Sequence, residues 1–276
     1  MASRRAVGAG EPRPPGRLKR ARRWVVRRPS YMLLTANDQT LQAEPARRFR
    51  HVWLGLMVLS GGWGIGSAGL WEGMLKLFDL ASGLPLMEAG IVLAVTVLWL
   101  YRRAVGALAG VFAGGQPQAR PVTASVLVAL LLLIFLALKG WNPDWPTHLA
   151  PMWRWMRPRA MYRPLILAPL WGGWAMLILG QFRRPGPETP EALREMYAGC
   201  GPLLSAIWMA VPLAGSLIYF NYMTWWQATI PGVTVLAAVV GGLVLCRLTG
   251  GLKRCTLLAG NLLTQIVFYL SYLANR

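Results

Sequence analysis

Six or seven long apolar stretches follow one another from residue 51 to the end of the chain, and short segments rich in arginine, proline and glycine separate them. A bilayer core about 30 Å thick needs roughly 20 helical residues to cross it. The pattern therefore predicts an all-α polytopic transmembrane bundle over residues 51–276, with about seven spans and six as the alternative. The predicted spans are His51–Met74, Leu86–Tyr101, Val122–Lys139, Pro164–Phe182, Gly199–Phe220, Ile230–Cys246 and Cys255–Leu273.

Composition supports the membrane assignment. Hydrophobic residues make up 55% of the chain and charged residues only 14%, whereas soluble domains carry about 25% charged residues. Three scattered cysteines form no C-x-x-C motif, which argues against a disulfide framework. Their place in or beside apolar segments is typical of small buried side chains.

The first fifty residues differ in composition from the rest of the chain, because they combine proline, glycine and clustered arginine without a long apolar run. They predict a basic, largely disordered cytoplasmic tail. The segment from Lys19 to Arg28, with Trp24 among its bases, could contact anionic lipid or nucleic acid. The positive-inside rule alone predicts such a tail, so we favour that interpretation and expect no nucleic-acid partner.

Basic residues also predict the orientation of the bundle. With the tail in the cytoplasm, the connections on the same side collect most of the remaining arginines and lysines, as the positive-inside rule requires. The sequence therefore predicts a cytoplasmic N-terminus and an external C-terminus, with the bacterial inner membrane as the location. The inner-side bases after the tail are Arg102, Arg103, Arg120, Arg183, Arg184, Arg194, Arg247, Lys253 and Arg254.

The connection from Gly140 to Arg163 is the main candidate for a ligand site, although it carries four arginines on the predicted outer side. Arginine forks suit phosphate and carboxylate groups, and aromatic faces suit flat rings or alkyl chains. One interpretation is a pocket for an anionic amphiphile, and the other is an interfacial segment anchored in lipid headgroups. The candidate binding residues are Arg154, Arg157, Arg159 and Arg163, with Trp153 and Trp155.

The last predicted span carries a polar stripe. Asn261, Gln265 and Tyr269 follow one another at four-residue spacing and therefore share one helix face. Side-chain amides at membrane depth are costly unless they are paired, so this face should point into the bundle. Asn261 and Gln265 either make interhelical hydrogen bonds or line a substrate cavity.

Small residues recur where membrane helices pack closely. Gly106, Gly110 and Gly114 repeat every fourth residue after the second predicted span, and Gly62 and Gly66 do so inside the first. Such spacing lets helix backbones approach. We predict helix packing through both sets and a possible membrane-protein partner at Gly106, Gly110 and Gly114.

Acidic residues are almost absent from the predicted spans, since only Glu72 and Glu88 lie near one. Ion-coupled transport usually uses a carboxylate at the membrane midplane, and Mg²⁺ chemistry needs clustered carboxylates. We therefore predict no cofactor, no metal site and no catalytic residues.

The C-terminal half resembles the cobalamin synthase family, membrane enzymes that join a nucleoside to adenosylcobinamide-GDP. In the segment RLTGGLKRCTLLAGNLLTQIVFYLSYL, Gly250, Gly251, Leu257 and Ala259 match the family's terminal pattern. The segment Leu167–Leu179 is similar to its middle helix. The resemblance implies a polytopic fold and a role as a ribazoletransferase in corrinoid assembly.

The metal-binding acids of that family are replaced in this chain. Cys255 stands in place of the terminal motif's aspartate and Gln265 in place of the helix glutamate, while Lys253 and Arg254 replace a threonine and a glycine. The family's aspartate-rich motif is missing. These departures imply either a relative without catalytic activity or a convergent pattern of glycine-punctuated helices.

These observations together predict an integral inner-membrane protein that binds or organises an anionic amphiphile or a membrane partner, without catalysis. Membrane lipids with anionic headgroups are the expected partners. A divergent transferase of the cobalamin synthase type is the first alternative, and a component of a membrane transporter is the second.

Overall fold

The computed structural model describes residues 28–36, 38–78, 85–114, 116–139, 162–182, 185, 189–220 and 225–275. Within these ranges the chain is helical and contains no strand, and seven helices are long and apolar enough to cross a membrane. The predicted all-α polytopic bundle of about seven spans is confirmed, and the alternative of six is not. An odd number of crossings puts the two ends of the bundle on opposite membrane faces, and the N-in direction stays a prediction.

The spans are built from continuous helices and, in two cases, from helices interrupted by a π-helical turn. The second span joins α4 to α5 through a π turn at Val97–Tyr101, and the sixth joins α10 to α11 through Ala237–Gly241. The remaining spans are single helices. The elements are α1 (Pro29–Thr35), α2 (Asp38–Gln42), a 3-10 turn (Ala46–Phe49), α3 (Val52–Phe78), α4 (Pro85–Thr96), α5 (Arg102–Phe112), α6 (Ala119–Lys139), α7 (Tyr162–Phe182), α8 (Glu191–Gly199), α9 (Pro202–Tyr219), α10 (Trp225–Leu236), α11 (Gly242–Leu248) and α12 (Arg254–Ala274).

The predicted end of the second span at Tyr101 is wrong, because the helix continues to Phe112. Hydropathy marks the point at which the apolar run stops, whereas arginine is a good helix former and lets the backbone hydrogen bonding continue. As a result Arg102, Arg103, Gly106 and Gly110 all lie on α5.

Helices α7 and α12 form the centre of the bundle. In the most apolar 18-residue stretch of each helix, 72% is buried in α7 and 67% in α12, against 17% in α9. Two buried indoles of α7 fasten α9 to this centre: Trp171 donates to the Ser216 hydroxyl at 3.1 Å, and Trp174 donates to the Ser205 carbonyl at 3.0 Å. Such bonds satisfy the polar tips of buried tryptophans.

A close backbone approach joins α3 to α7. A Cβ added at Gly64 would lie 2.5 Å from the carbonyl oxygen of Ile166, so only glycine fits there. The predicted packing through Gly62 and Gly66 is wrong, because both are exposed and a Cβ on either would meet nothing within 4 Å. Each lies two residues from Gly64, which at 3.6 residues per turn puts it on nearly the opposite face.

The segment before the first span also packs on the bundle. In α1, Met32, Leu33 and Leu34 are buried, and the helix contacts α3, α5 and the first π turn. The described part of the first fifty residues therefore includes a packed helix, and the predicted domain boundary at residue 50 stays a prediction. Residues 1–27 of the predicted disordered tail lie outside the described part of the chain.

Arg254, the first residue of α12, fixes this N-terminal segment. Its side chain is 6% exposed, and its guanidinium donates to the carbonyls of Leu33 at 2.8 Å and Met32 at 3.3 Å. A third bond, of 2.7 Å, runs to the carboxylate of Asp38. One side chain thus satisfies two carbonyls near the end of α1 and pairs with the start of α2.

Surface helix α8 is held to α7 by a second long-range bond. Gly180 of α7 accommodates the Tyr197 ring, and the Tyr197 hydroxyl donates to the Met176 carbonyl at 2.7 Å. Burial, with Cys246 and Cys200 nearby, raises the pKa of Tyr197 well above its ordinary value. The hydroxyl therefore keeps its proton and remains a donor.

Candidate functional site

The predicted ligand loop is described only at its end. Arg154, Arg157, Arg159, Trp153 and Trp155 lie outside the described residues, so binding through them stays a prediction. The structure places the sixth candidate, Arg163, in the first turn of α7.

Arg163 is 9% exposed and interacts electrostatically with the hydroxyls of Tyr219 and Tyr272. Beside it, the Tyr162 hydroxyl donates to the carboxylate of Glu72, which also pairs with Lys76 at 3.6 Å. The Tyr162–Glu72 hydrogen bond attaches the start of α7 to α3, at the end of the bundle opposite α1, and the electrostatic interactions of Arg163 reach α9 and α12. They join Arg163 to side chains far from it in sequence.

Asn261 and Gln265 lie inside the bundle, as their shared face predicts, and each is 2% exposed. The Gln265 amide donates to the Asn261 carbonyl, Asn261 donates to the Met176 sulfur at 3.2 Å, and Tyr101 hydrogen-bonds with Gln265. This geometry supports the interhelical hydrogen-bonding interpretation.

Gly172 of α7 explains how the amide pair fits. A Cβ at this position would approach the Asn261 carbonyl oxygen and the Gln265 amide nitrogen to 2.8 Å each. The backbone of α7 therefore packs directly on the pair, and ligand binding by Asn261 and Gln265 stays a prediction.

A recess near α1 brings three arginines together. It encloses about 610 Å³, and the side chains of Arg102, Arg103 and Arg120 line it together with the backbone of Gly106. We call it the arginine recess. Its other lining residues are Thr35, Leu98, Trp99 and Leu100.

Two local features bring the three arginines together. The π turn at Val97–Tyr101 ends directly before Arg102 and Arg103, and only six residues separate α5 from α6, so that Arg120 lies in the first turn of the next span. Arg120 donates to the Gly106 carbonyl from Nε at 3.2 Å and from Nη2 at 3.1 Å. The second and third spans thus contribute to one site.

The glycine stripe of α5 contributes to this site. Arg120 lies 3.8 Å from a Cβ built at Gly106 and 3.5 Å from one built at Gly110. Gly114 adopts a φ of +58°, a left-handed turn conformation that favours glycine. Two of the three glycines therefore face an arginine of their own chain, and a partner contact through this stripe stays a prediction.

The described lining of the recess carries charge of one sign only. No acidic residue is among the described residues that line it, and α6 begins one residue before Arg120, so the positive end of its helix dipole lies close by. Leu98 and Trp99 are exposed beside the three guanidiniums. The arrangement can hold a phosphate or carboxylate next to an apolar chain.

Sequence reasoning assigned these three arginines to topology alone. The signal that could have found the recess is the short connection between the second and third spans, which must put Arg102, Arg103 and Arg120 at similar membrane depth. Their approach in space depends on how far α5 extends, which hydropathy does not show.

The positions that carry the cobalamin synthase resemblance form a turn and a helix start. Gly250 and Gly251 adopt φ values of +72° and +141° before α12. The hydroxyls of Thr249 and Thr256 share a hydrogen bond of 2.7 Å, and each lies 3.0 Å from the Gly251 carbonyl oxygen, to which one of them can donate. Cys255 is exposed. These contacts give the turn a structural role, and within the described ranges no group of three His, Cys, Asp or Glu side chains could hold a metal ion.

No family model matches this chain, and neither a curated protein nor a solved structure shows significant similarity to it.

Proposed function

We propose that this integral membrane protein binds an anionic amphiphile, a phosphorylated lipid in the leaflet next to α1, through the arginine recess. The observation that carries the proposal is the meeting of Arg102, Arg103 and Arg120 in one recess whose described lining contains no acid. The protein organises this lipid at the bundle surface without chemically changing it.

The energetics favour a phosphate at this site. Arginine presents several donors in a planar fork that matches phosphate oxygens, and each basic side chain near an anionic membrane surface contributes about 1 kcal/mol. Arg120 uses Nε and Nη2 to reach Gly106, which fixes its side chain and lowers the entropy lost on binding. Exposed Leu98 and Trp99 offer apolar surface to an acyl chain.

The test is a titration of the full-length protein, in neutral detergent micelles, with phosphatidylglycerol and with phosphatidylcholine. Changing Arg102, Arg103 and Arg120 together to glutamine should weaken phosphatidylglycerol binding by about 2–3 kcal/mol, thirtyfold to over a hundredfold. Phosphatidylcholine binding should stay unchanged.

The matched control changes three exposed arginines outside the recess, Arg47, Arg194 and Arg247, to glutamine. It removes the same charge, so a general loss of electrostatic attraction would weaken binding equally in both variants. An equal loss in both would overturn the assignment to the recess.

The loop arginines provide a second arm of the same experiment. Changing Arg154, Arg157, Arg159 and Arg163 to glutamine should abolish binding of a phosphorylated lipid or nucleotide if the 140–163 segment is a ligand site. Retained binding, or a failure to insert, would make that segment an anchoring element.

The transferase and transporter alternatives have their own test. A divergent cobalamin-synthase-like enzyme would turn over a nucleotide-activated corrinoid with Mg²⁺, and we expect the purified protein to give no product. A transporter component would move its ligand across a sealed vesicle, whereas a lipid-binding protein would change only the amount bound.

A further inference from the structure

A second recess lies at the other end of α1. It encloses about 810 Å³, with Arg28, Arg48 and His51 among its lining residues and the first turns of α3 as its wall. Leu54 and Val58 of this wall are exposed. No acid is among the described lining residues, although Glu44 pairs with Arg48 from outside them at 2.8 Å. We call it the α3 recess.

Helix α1 separates the two recesses. Residues from Arg28 to Tyr31 line the α3 recess, whereas Thr35 lines the arginine recess. The helix has seven residues, a length of about 10 Å at 1.5 Å per residue. Tyr31 and Thr35, which line different recesses, are four residues apart on this helix, about 6 Å along its axis.

Helix α1, which lies between the two recesses, is held in place by long-range contacts. The Trp99 indole donates to the Tyr31 hydroxyl at 3.0 Å, which ties the lining of one recess to that of the other. Arg254 donates to the carbonyls of Met32 and Leu33 on the same helix. The spacing of the two sites is set before any ligand binds, and such preorganisation favours a ligand of matching span.

The two recesses repeat one chemistry. Each combines guanidinium groups with an exposed apolar wall, Leu98 and Trp99 in the arginine recess and Leu54 and Val58 in the α3 recess. Each is therefore suited to one phosphate with its own acyl chains. A lipid that joins two phosphate-and-acyl units through a short bridge would meet five arginines, three in the arginine recess and two in the α3 recess. The described lining of neither recess contains an acid.

We propose that one tetraacyl lipid, built of two phosphatidyl units joined by a three-carbon bridge, straddles α1 with one phosphate in each recess. This inference rests on the proposed function of the arginine recess and adds the class of lipid. Binding of the first phosphate raises the effective concentration of the second at its own site, so the bridged lipid should bind much more tightly than either half.

The experiment compares diphosphatidylglycerol with phosphatidylglycerol, its one-phosphate analogue, on the full-length protein by native mass spectrometry with titration. We expect one diphosphatidylglycerol but two phosphatidylglycerol molecules per protein. The bridged lipid should bind at least tenfold more tightly. These stoichiometries need no variant.

Changing Arg28 and Arg48 to glutamine should remove the preference for the bridged lipid and leave one phosphatidylglycerol site of unchanged affinity. Arg48→Gln alone is the safer variant for folding, since this side chain is 58% exposed, and it should lower the preference about threefold or more. A thermal melt of each variant establishes that it is folded.

Three results are distinguishable. Equal affinity for the two lipids, or two diphosphatidylglycerol molecules per protein, would overturn the bridging proposal while the arginine recess stands. Binding of neither lipid would overturn the proposed function itself. Loss of one of the two phosphatidylglycerol molecules in the arginine-recess variant and of the other in the Arg28/Arg48 variant, with the bridged preference present in the wild type, would support both.

Discussion

Replacing Gly64 with alanine is expected to destabilise the bundle by about 3 kcal/mol or more. The added methyl group would lie 2.5 Å from the carbonyl oxygen of Ile166 and 2.8 Å from its Cα. Both atoms belong to the backbone of α7, so a side-chain rotation cannot relieve the clash and α3 must move away from the centre of the bundle. Unfolding of the purified protein with increasing sodium dodecyl sulfate measures the effect.

Gly66→Ala is the matched control, because Gly66 lies on the same helix and a Cβ there meets nothing within 4 Å. Alanine is the better helix former in water by about 1 kcal/mol, so this variant should be as stable as the wild type or slightly more stable. Equal destabilisation by both substitutions would mean that α3 does not contact α7 through Gly64.

Arg254→Met is expected to cost about 3–5 kcal/mol and to release the segment before the first span. Methionine fills a similar volume but cannot donate to the carbonyls of Leu33 and Met32, which then remain buried without this partner. Limited proteolysis should cut the variant between residues 28 and 50 where the wild type resists, and the unfolding midpoint should fall.

Asp38→Asn separates the ion pair from the carbonyl contacts. The Asp38 side chain is 76% exposed, and an exposed partner contributes about 1 kcal/mol or less. We expect this variant to keep both its stability and its resistance to protease. A loss as large as that of Arg254→Met would show that the ion pair holds the segment.

The sequence predicts the helices of this protein better than the contacts between them. Apolar runs of membrane length locate the seven spans because lipid imposes that length on each span separately. The polar stripe of the last span was also predictable, since Asn261 and Gln265 share a face that lipid disfavours. Both predictions depend on the sequence of a single helix and not on how that helix packs against others.

Contacts between helices need the rotation of each helix, which composition does not fix. Gly62, Gly64 and Gly66 are equivalent as small residues, yet only Gly64 meets a backbone. The folding of residues 28–50 onto the bundle was likewise missed, because Arg254 bonds to Leu33, 221 residues away in sequence. A cluster of basic residues predicts a cytoplasmic tail, but it does not indicate whether the residues next to the first span pack on the bundle.

The arginine recess shows the same limit at the candidate site. Arg102, Arg103 and Arg120 each follow from the positive-inside rule, and that rule gives no reason to expect them in one recess. The extension of α5 beyond Tyr101 and the bonds from Arg120 to Gly106 bring them together. Counting charges therefore predicts which side of the membrane these arginines face, whereas the structure shows that they line one recess.

Lipid binding by the arginine recess is tested most directly by the amount of anionic lipid that leaves the membrane with the protein. The full-length wild type and the Arg102→Gln/Arg103→Gln/Arg120→Gln variant are extracted from the same membranes, and the phospholipid per protein is counted by phosphorus NMR after thorough detergent washing. We predict at least two anionic phospholipid phosphates per wild-type molecule, and at least one fewer with the variant, in which only the α3 recess keeps its arginines. Equal anionic lipid in the two preparations, with both proteins folded, would show that the arginine recess does not bind the lipid.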